Sequence, residues 1–192
     1  MSTVVSPLAS VPVSPPRFRV ASNAVVGTLT YVTTAIMFFG GLISAYIVLR
    51  AGSIAWPPPD QPRLPVAVTG INTAILLLSG GMAVVAAGAS DAVRRIRWLN
   101  GAAVLGAAFV AVQSYEWVRL VHFGLLASSG TYGATFYTIV GAHAVHALGG
   151  LAALLATSRL VRKGRGDLTA CLLYWGFVVL LWPVLYVLVY LV

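Results

Sequence analysis

Three titratable side chains stand out between Gln113 and Gly150, where the chain leaves one apolar segment, passes a Ser/Gly turn and enters another. They are Glu116, His143 and His146. A titratable group in apolar surroundings is costly, and inside a bilayer it usually marks a function or a buried polar contact. Carboxylate and imidazole groups of this kind could relay protons, ligate a metal or haem, or bond one helix to another.

The spacing of the two histidines argues against metal or haem ligation. Two imidazoles one helical turn apart cannot ligate one haem from opposite faces, and no further His or Cys lies at membrane depth nearby to complete a metal site. We therefore expect His143 and His146, near mid-membrane, to hydrogen-bond to Glu116, to a hydroxyl or to a neighbouring subunit. Tyr137 is one candidate partner. Cys171, the single cysteine, is interpreted as a small apolar residue near a helix end.

Glu116 is the carboxylate that we expect inside the hydrocarbon, about 10 Å from the outer end of its helix at 1.5 Å rise per residue. Gln113 and Arg119 lie three residues to either side, on neighbouring faces of the same helix. We expect Arg119 to reach toward the outer interface while sharing charge with Glu116. A polar clamp to the next helix is the preferred interpretation. A proton relay, a lipid-headgroup contact and a partner-subunit contact are the alternatives.

The composition predicts the class of protein that carries these residues. Of 192 residues, 59% are hydrophobic and 8% are charged, too few charges to cover a water-soluble domain of this length. The apolar runs are long and continuous, unlike the alternating segments of about 10 residues in an outer-membrane barrel. We predict an all-α membrane protein, a bundle of five transmembrane helices at about 20–49, 66–89, 99–123, 132–160 and 168–192.

Two regions are predicted along the chain. Residues 1–16 form a Pro/Ser-rich tail that we expect to be disordered, and residues 17–192 form the five-helix transmembrane domain. The tail is not read as a signal peptide, because no basic residue precedes its apolar part. We find no internal repeat.

The net charge of +8 is interpreted as a topology signal and not as a nucleic-acid surface. Nine basic residues fall on the amino-terminal side and three on the other, so the positive-inside rule predicts a cytoplasmic amino terminus and a periplasmic carboxyl terminus. Basic residues at the two interfaces are candidates for anionic lipid headgroups. On the outer side these are Arg50, Arg63 and Arg119, and on the inner side Arg17, Arg94, Arg95 and Arg97.

Ordered motifs run from the first apolar segment to the last. They are MFFGGL at 37–42, AY at 45–46, LR at 49–50, WPP at 56–58, NT at 72–73, QxxEW at 113–117, SGxYGxxFY at 129–137, GxHxxH at 141–146 with a following glycine at 150, and YWxFV with a further Trp at 174–182. The set resembles subunit III of the haem–copper terminal oxidases (cytochrome c or quinol oxidases), in the short five-helix bacterial form. The resemblance covers nearly the whole chain after the tail.

The resemblance implies a non-redox accessory subunit of aerobic electron transport, in which reduction of oxygen to water is coupled to proton translocation. Such a subunit packs on subunit I, binds phospholipid, and sustains proton uptake and the stability of the complex. Haems and copper are then expected in subunits I and II, and none in this chain. The implied location is the bacterial cytoplasmic (inner) membrane, with a respiratory supercomplex as a further partner. The alternatives are a subunit of a related nitric-oxide-reducing complex and an independent small membrane transporter.

The sequence departs from the family pattern at three polar positions. Ala35 stands where the family usually has a carboxylate before the MFF run. Gly176 and Val179 stand where its final YWHFVD motif has His and Asp. Roles tied to those polar residues in the family are therefore not carried over to this chain.

Overall fold

The computed structural model describes residues 22–59, 61–165 and 168–192. In these ranges the chain is helical and contains no β-strand. The helices are α1 (Asn23–Ala51), α2 (Val66–Gly88), α3 (Ala92–His122), α4 (Thr131–Arg162) and α5 (Leu168–Tyr186), the last continuing as a π-helical segment at Val187–Leu191. Within the described ranges, five helices are long and apolar enough to cross a membrane. The predicted all-α fold with five spans is confirmed.

Two predictions from the sequence concern residues that the structure does not describe. The predicted tail, residues 1–16, and the headgroup candidate Arg17 lie outside the described ranges.

The predicted and observed bounds of the third helix differ at its start. Helix α3 begins at Ala92, whereas hydropathy placed the start of the span at about residue 99. The Asp91 carboxylate explains the earlier start, because it accepts a hydrogen bond from the backbone N–H of Arg94 at 2.8 Å and caps the helix.

Helices α2 to α5 pack against one another, whereas α1 is peripheral. The contacts run between α2 and α3, α3 and α4, α4 and α5, and α2 and α5. Helix α1 packs on α5 and, less extensively, on α4. Its buried side chains are those of Ala35, Phe39 and Tyr46, so most of its surface faces the surroundings.

The Trp175 side chain of α5 lies at the centre of the four packed helices. Its indole N–H donates to Ser79 Oγ of α2 at 3.2 Å, and the Ser79 hydroxyl donates to the Ala102 carbonyl of α3 at 2.6 Å. Two glycines make room for the ring. A Cβ atom at Gly106 of α3 would lie 2.9 Å from the indole, and one at Gly150 of α4 would lie 2.5 Å from it. One side chain therefore fixes the spacing of three neighbouring helices.

Trp182 repeats this arrangement two turns further along α5. Its indole N–H donates to Thr73 Oγ1 of α2 at 2.9 Å, and its ring packs on those of Phe109 and His143. Residues seven apart lie on nearly the same helical face, so both tryptophans point toward α2. The indole rings supply large apolar surfaces, and each N–H finds a buried acceptor.

We predict that Gly150→Ala destabilises the protein. Its new methyl group would meet the Trp175 ring, and overpacking of this kind costs about 1–3 kcal/mol. Gly141→Ala is the matched control on the same helix, because nothing lies within 4 Å of its added Cβ. The measurement is the thermal denaturation midpoint of the purified protein in detergent. Equal midpoints for the two variants would contradict the tight fit around Trp175.

Candidate functional site in the membrane interior

A chain of buried amide and hydroxyl groups crosses three helical segments toward the end of the bundle where α2 begins. Asn72 Nδ2 of α2 donates to the Phe109 carbonyl at 3.0 Å and to Gln113 Oε1 at 3.4 Å, both on α3. Gln113 Nε2 in turn donates to the Tyr190 hydroxyl at 3.0 Å, at the end of the last helix. Asn72, Gln113 and Tyr190 are all buried, so each hydrogen bond offsets a costly desolvation. Gln113 is the centre of this polar contact.

Glu116 forms its ion pair within its own helix. Arg119 Nη1 lies 3.0 Å and 3.1 Å from the two carboxylate oxygens. The carboxylate side chain is 5% exposed and the guanidinium side chain 46% exposed, so the pair extends from the interior toward the surface. This geometry agrees with the expected sharing of charge. Among the described residues, however, the clamp between helices is made by Gln113, because Glu116 is bonded to Arg119 instead.

The His143 imidazole is almost completely enclosed, with 1% of the residue exposed. It packs beside Phe109 and Trp182, with ring centroids 6.4 Å and 4.9 Å away. Neither of its nitrogens has a hydrogen-bond partner within the described part of the chain. The expected bonds to Glu116 and Tyr137 are not formed within the described residues. The Glu116 carboxylate is paired with Arg119, and the Tyr137 hydroxyl donates to the Leu125 carbonyl at 2.9 Å. The expected bond to a neighbouring subunit stays a prediction.

His146 faces a different set of neighbours. Its Nδ1 lies 2.8 Å from the Ala142 carbonyl of its own helix, so this polar contact is local and not between helices as expected. Its ring lies among aromatic side chains of α1 and α5, including Phe39 at 5.1 Å and Phe177 at 6.2 Å. The Tyr174 hydroxyl donates to the backbone carbonyl of His146 at 3.1 Å. The two histidines therefore diverge, toward α3 and toward α1.

The headgroup candidates that the structure describes include both bonded and exposed side chains. Arg50 donates to the backbone oxygen of Val192. Arg95 donates to the Ala89 carbonyl at 3.0 Å, and Arg94 pairs with Asp91 at 3.0 Å. Two further candidates, Arg63 and Arg97, are exposed. In the part of the chain that the structure describes, no group of three or more His, Cys, Asp or Glu side chains could hold a metal ion.

Sequence reasoning missed the residues that join the site to its surroundings. Tyr190, the acceptor of the Gln113 amide, lies in a uniformly apolar terminal segment where no periodicity singles it out. The tryptophan contacts with Ser79 and Thr73 were also missed. Their signal was present, because Trp175 and Trp182 are seven residues apart and the two hydroxyl residues are six apart.

Five apolar helices joined by short connections, with polar side chains bonded in the interior, define a multi-pass membrane protein. The family model for cytochrome c oxidase subunit III matches residues 17–192. The chain is 38% identical over 178 residues to a probable cytochrome c oxidase subunit 3 from Nocardia farcinica, covering 87% of each protein. It is 32% identical to the Corynebacterium diphtheriae protein, covering 86% of each. It is 30% identical to the Synechocystis protein, covering 86% of this chain and 74% of that one.

The chain belongs to the cytochrome c oxidase subunit III family. The resemblance inferred from its motifs is therefore confirmed. Membership makes it an accessory subunit that associates with other oxidase subunits in a membrane, in a family that lacks redox centres.

We predict that the two members of the Glu116–Arg119 pair respond unequally to neutralisation. Arg119→Gln leaves a buried carboxylate without its cation, and we expect a loss of about 1–3 kcal/mol in unfolding free energy. Glu116→Gln leaves an amide oxygen that can still accept from Arg119, and we expect a loss below about 1 kcal/mol. The thermal denaturation midpoint in detergent measures both.

The double variant Glu116→Gln with Arg119→Gln is the control for this cycle. Because it removes the buried charge together with its partner, it should recover most of the stability lost in Arg119→Gln. Equal losses in the two single variants would show that the carboxylate does not depend on the guanidinium.

Proposed function

We propose that the chain is the non-redox subunit III of a bacterial haem–copper respiratory oxidase, packing on subunit I and stabilising the complex and its proton uptake. The observation that carries the proposal is the family match over residues 17–192, which includes the whole five-helix domain. Oxygen reduction is then carried out at the haem and copper centres of the partner subunits. This chain contributes a membrane-embedded surface and a rigid support.

The polar contacts support a structural contribution and not a proton path through the chain. The Glu116 carboxylate is held by Arg119, and Gln113 is bonded to groups on both sides of it. Groups fixed in this way hold helices in place, and they would have to break those bonds to pass a proton. We infer that the effect on proton uptake is indirect, through the geometry of the neighbouring subunit.

The exposed surfaces supply room for subunit I and for phospholipid. Helix α1 exposes large apolar side chains, with Met37 74% and Val48 70% exposed. A groove of about 600 Å³ between α1, α4 and α5 is lined by small residues together with Tyr31 and Tyr174. We propose that acyl chains fill such grooves, with the exposed Arg63 and Arg97 meeting anionic headgroups at opposite interfaces.

The test is to purify the assembled complex through a tag on this chain in mild detergent and to inventory its proteins and lipids by mass spectrometry. We expect a haem–copper subunit I, a copper-containing subunit II and retained phospholipid. A tagged unrelated multi-pass protein from the same membrane is the control. Recovery of the chain alone, or with a nitric-oxide-reducing complex, would overturn the proposed function. Partners from a second respiratory complex would extend it to a supercomplex.

We infer the orientation from charge. One side of the membrane holds the start of α1, the connection between α2 and α3, and the end of α4. Most of the basic residues lie on that side. The positive-inside rule makes it the cytoplasmic face of the inner membrane. An alkaline phosphatase fusion after Val192 should therefore be active, whereas a fusion at Ser90, between α2 and α3, should be inactive. Activity in the reverse pattern would contradict this topology.

A further inference from the structure

A small cavity lies between α3 and α4, next to the polar chain centred on Gln113. Its volume is about 20 Å³, and its lining includes Gln113, Ser114, Trp117, His143 and Ala144. The rest of the lining is mostly apolar. A buried water molecule needs at least about 10–15 Å³ by a comparable measure, so the cavity has room for one.

Two of the lining side chains carry polar atoms that have no partner within the described residues. They are the two ring nitrogens of His143 and the indole Nε1 of Trp117. The other tryptophans of the helical core do not share this feature, because Trp175 and Trp182 both donate to hydroxyl groups. Burial of an unpaired polar group is costly, and in native proteins such groups are bonded to protein or to ordered water.

The chemistry of these atoms restricts what can occupy the cavity. An indole nitrogen only donates, and a neutral imidazole offers one donor and one acceptor. An occupant that satisfies both side chains would accept from Trp117 and would donate to or accept from His143. A hydrocarbon chain does neither, and an amide or carboxylate side chain is larger than the space. Water satisfies each requirement.

We propose that this cavity is a binding site for one water molecule, which accepts a hydrogen bond from Trp117 and bridges it to His143. The bridge joins α3 to α4 inside the membrane. It extends the polar layer formed by Asn72, Gln113 and Tyr190 to the remaining helix of the core. The proposal rests on contacts within this chain and is independent of the part that the chain plays in the oxidase.

The first test is a cryo-electron microscopy map of the intact complex at a resolution that shows buried waters elsewhere in it. We expect a discrete density within hydrogen-bonding distance of Trp117 Nε1 and of one nitrogen of His143. Density continuous with a partner side chain or with an acyl chain would overturn the proposal. A cavity without density in such a map would also overturn it.

The second test removes one hydrogen bond and keeps the shape of the site. Trp117→Phe retains an aromatic ring but has no N–H, so the water density should be lost or clearly weakened. Trp98→Phe is the control on the same helix, since Trp98 is 38% exposed and does not line the cavity. Undiminished density in Trp117→Phe, or an equal loss in Trp98→Phe, would refute the bridge.

The third test measures hydrogen bonding of the Trp117 indole in the parent protein by spectroscopy. The ultraviolet resonance Raman difference between the parent complex and Trp117→Phe isolates the Trp117 indole. We expect the band that reports N–H bonding to show a hydrogen-bonded indole. Ala144→Val, which fills the cavity with two further methyl groups, should shift that band toward a free N–H. A free indole in the parent would contradict the proposal.

Discussion

The contact between Trp175 and its three neighbouring helices sets the geometry on which the rest of the bundle depends. In a lipid environment apolar side chains gain little by leaving the acyl chains to contact another helix, so close packing and buried hydrogen bonds must hold helices together. Trp175 supplies both, because its ring occupies the space left by Gly106 and Gly150 while its N–H donates to Ser79. Because Trp175 fixes the spacing of the helices, the Trp182 indole lies close enough to donate to Thr73, and the smaller polar contacts can also form.

As a consequence of this arrangement, the helices contribute unequally to the packing of the core. Helix α5 packs on α1, α2 and α4, and its Trp182 ring meets Phe109 of α3. Its aromatic side chains donate to groups on both α2 and α4. Helix α1 is held mainly through Phe39 and Tyr46, the latter donating to the Leu188 carbonyl at 3.1 Å. The peripheral helix thus exposes an extended apolar surface, with Met37, Val48 and Ile36 more than half exposed, and a surface of that kind can meet lipid or a neighbouring subunit.

The fold could be predicted from sequence because the number of spans follows from the length of continuous apolar runs, which no tertiary contact can alter. The family could be predicted from the order of its motifs. Contacts between helices could not be predicted, because spacing along one helix does not say which neighbour a face meets. Gln113 and Glu116 are one turn apart, yet the first reaches Tyr190 and the second reaches Arg119. Likewise His146 bonds to the Ala142 carbonyl of its own helix. A carbonyl one turn away is always within reach, so it competes with any partner on a neighbouring helix.

Two of the three departures from the family pattern lie in tight helix contacts in the structure. Ala35 is buried in the contact of α1 with the bundle, and Val179 packs so closely on α2 that a Cβ at Gly80 would lie 2.8 Å from it. A carboxylate at either position would have to be buried within the helix packing, and burial of a charge is costly. This chain has apolar packing there and places its buried amides and carboxylate elsewhere, on Asn72, Gln113 and Glu116. At Ala35 and Val179 the helix contacts are therefore made by apolar packing.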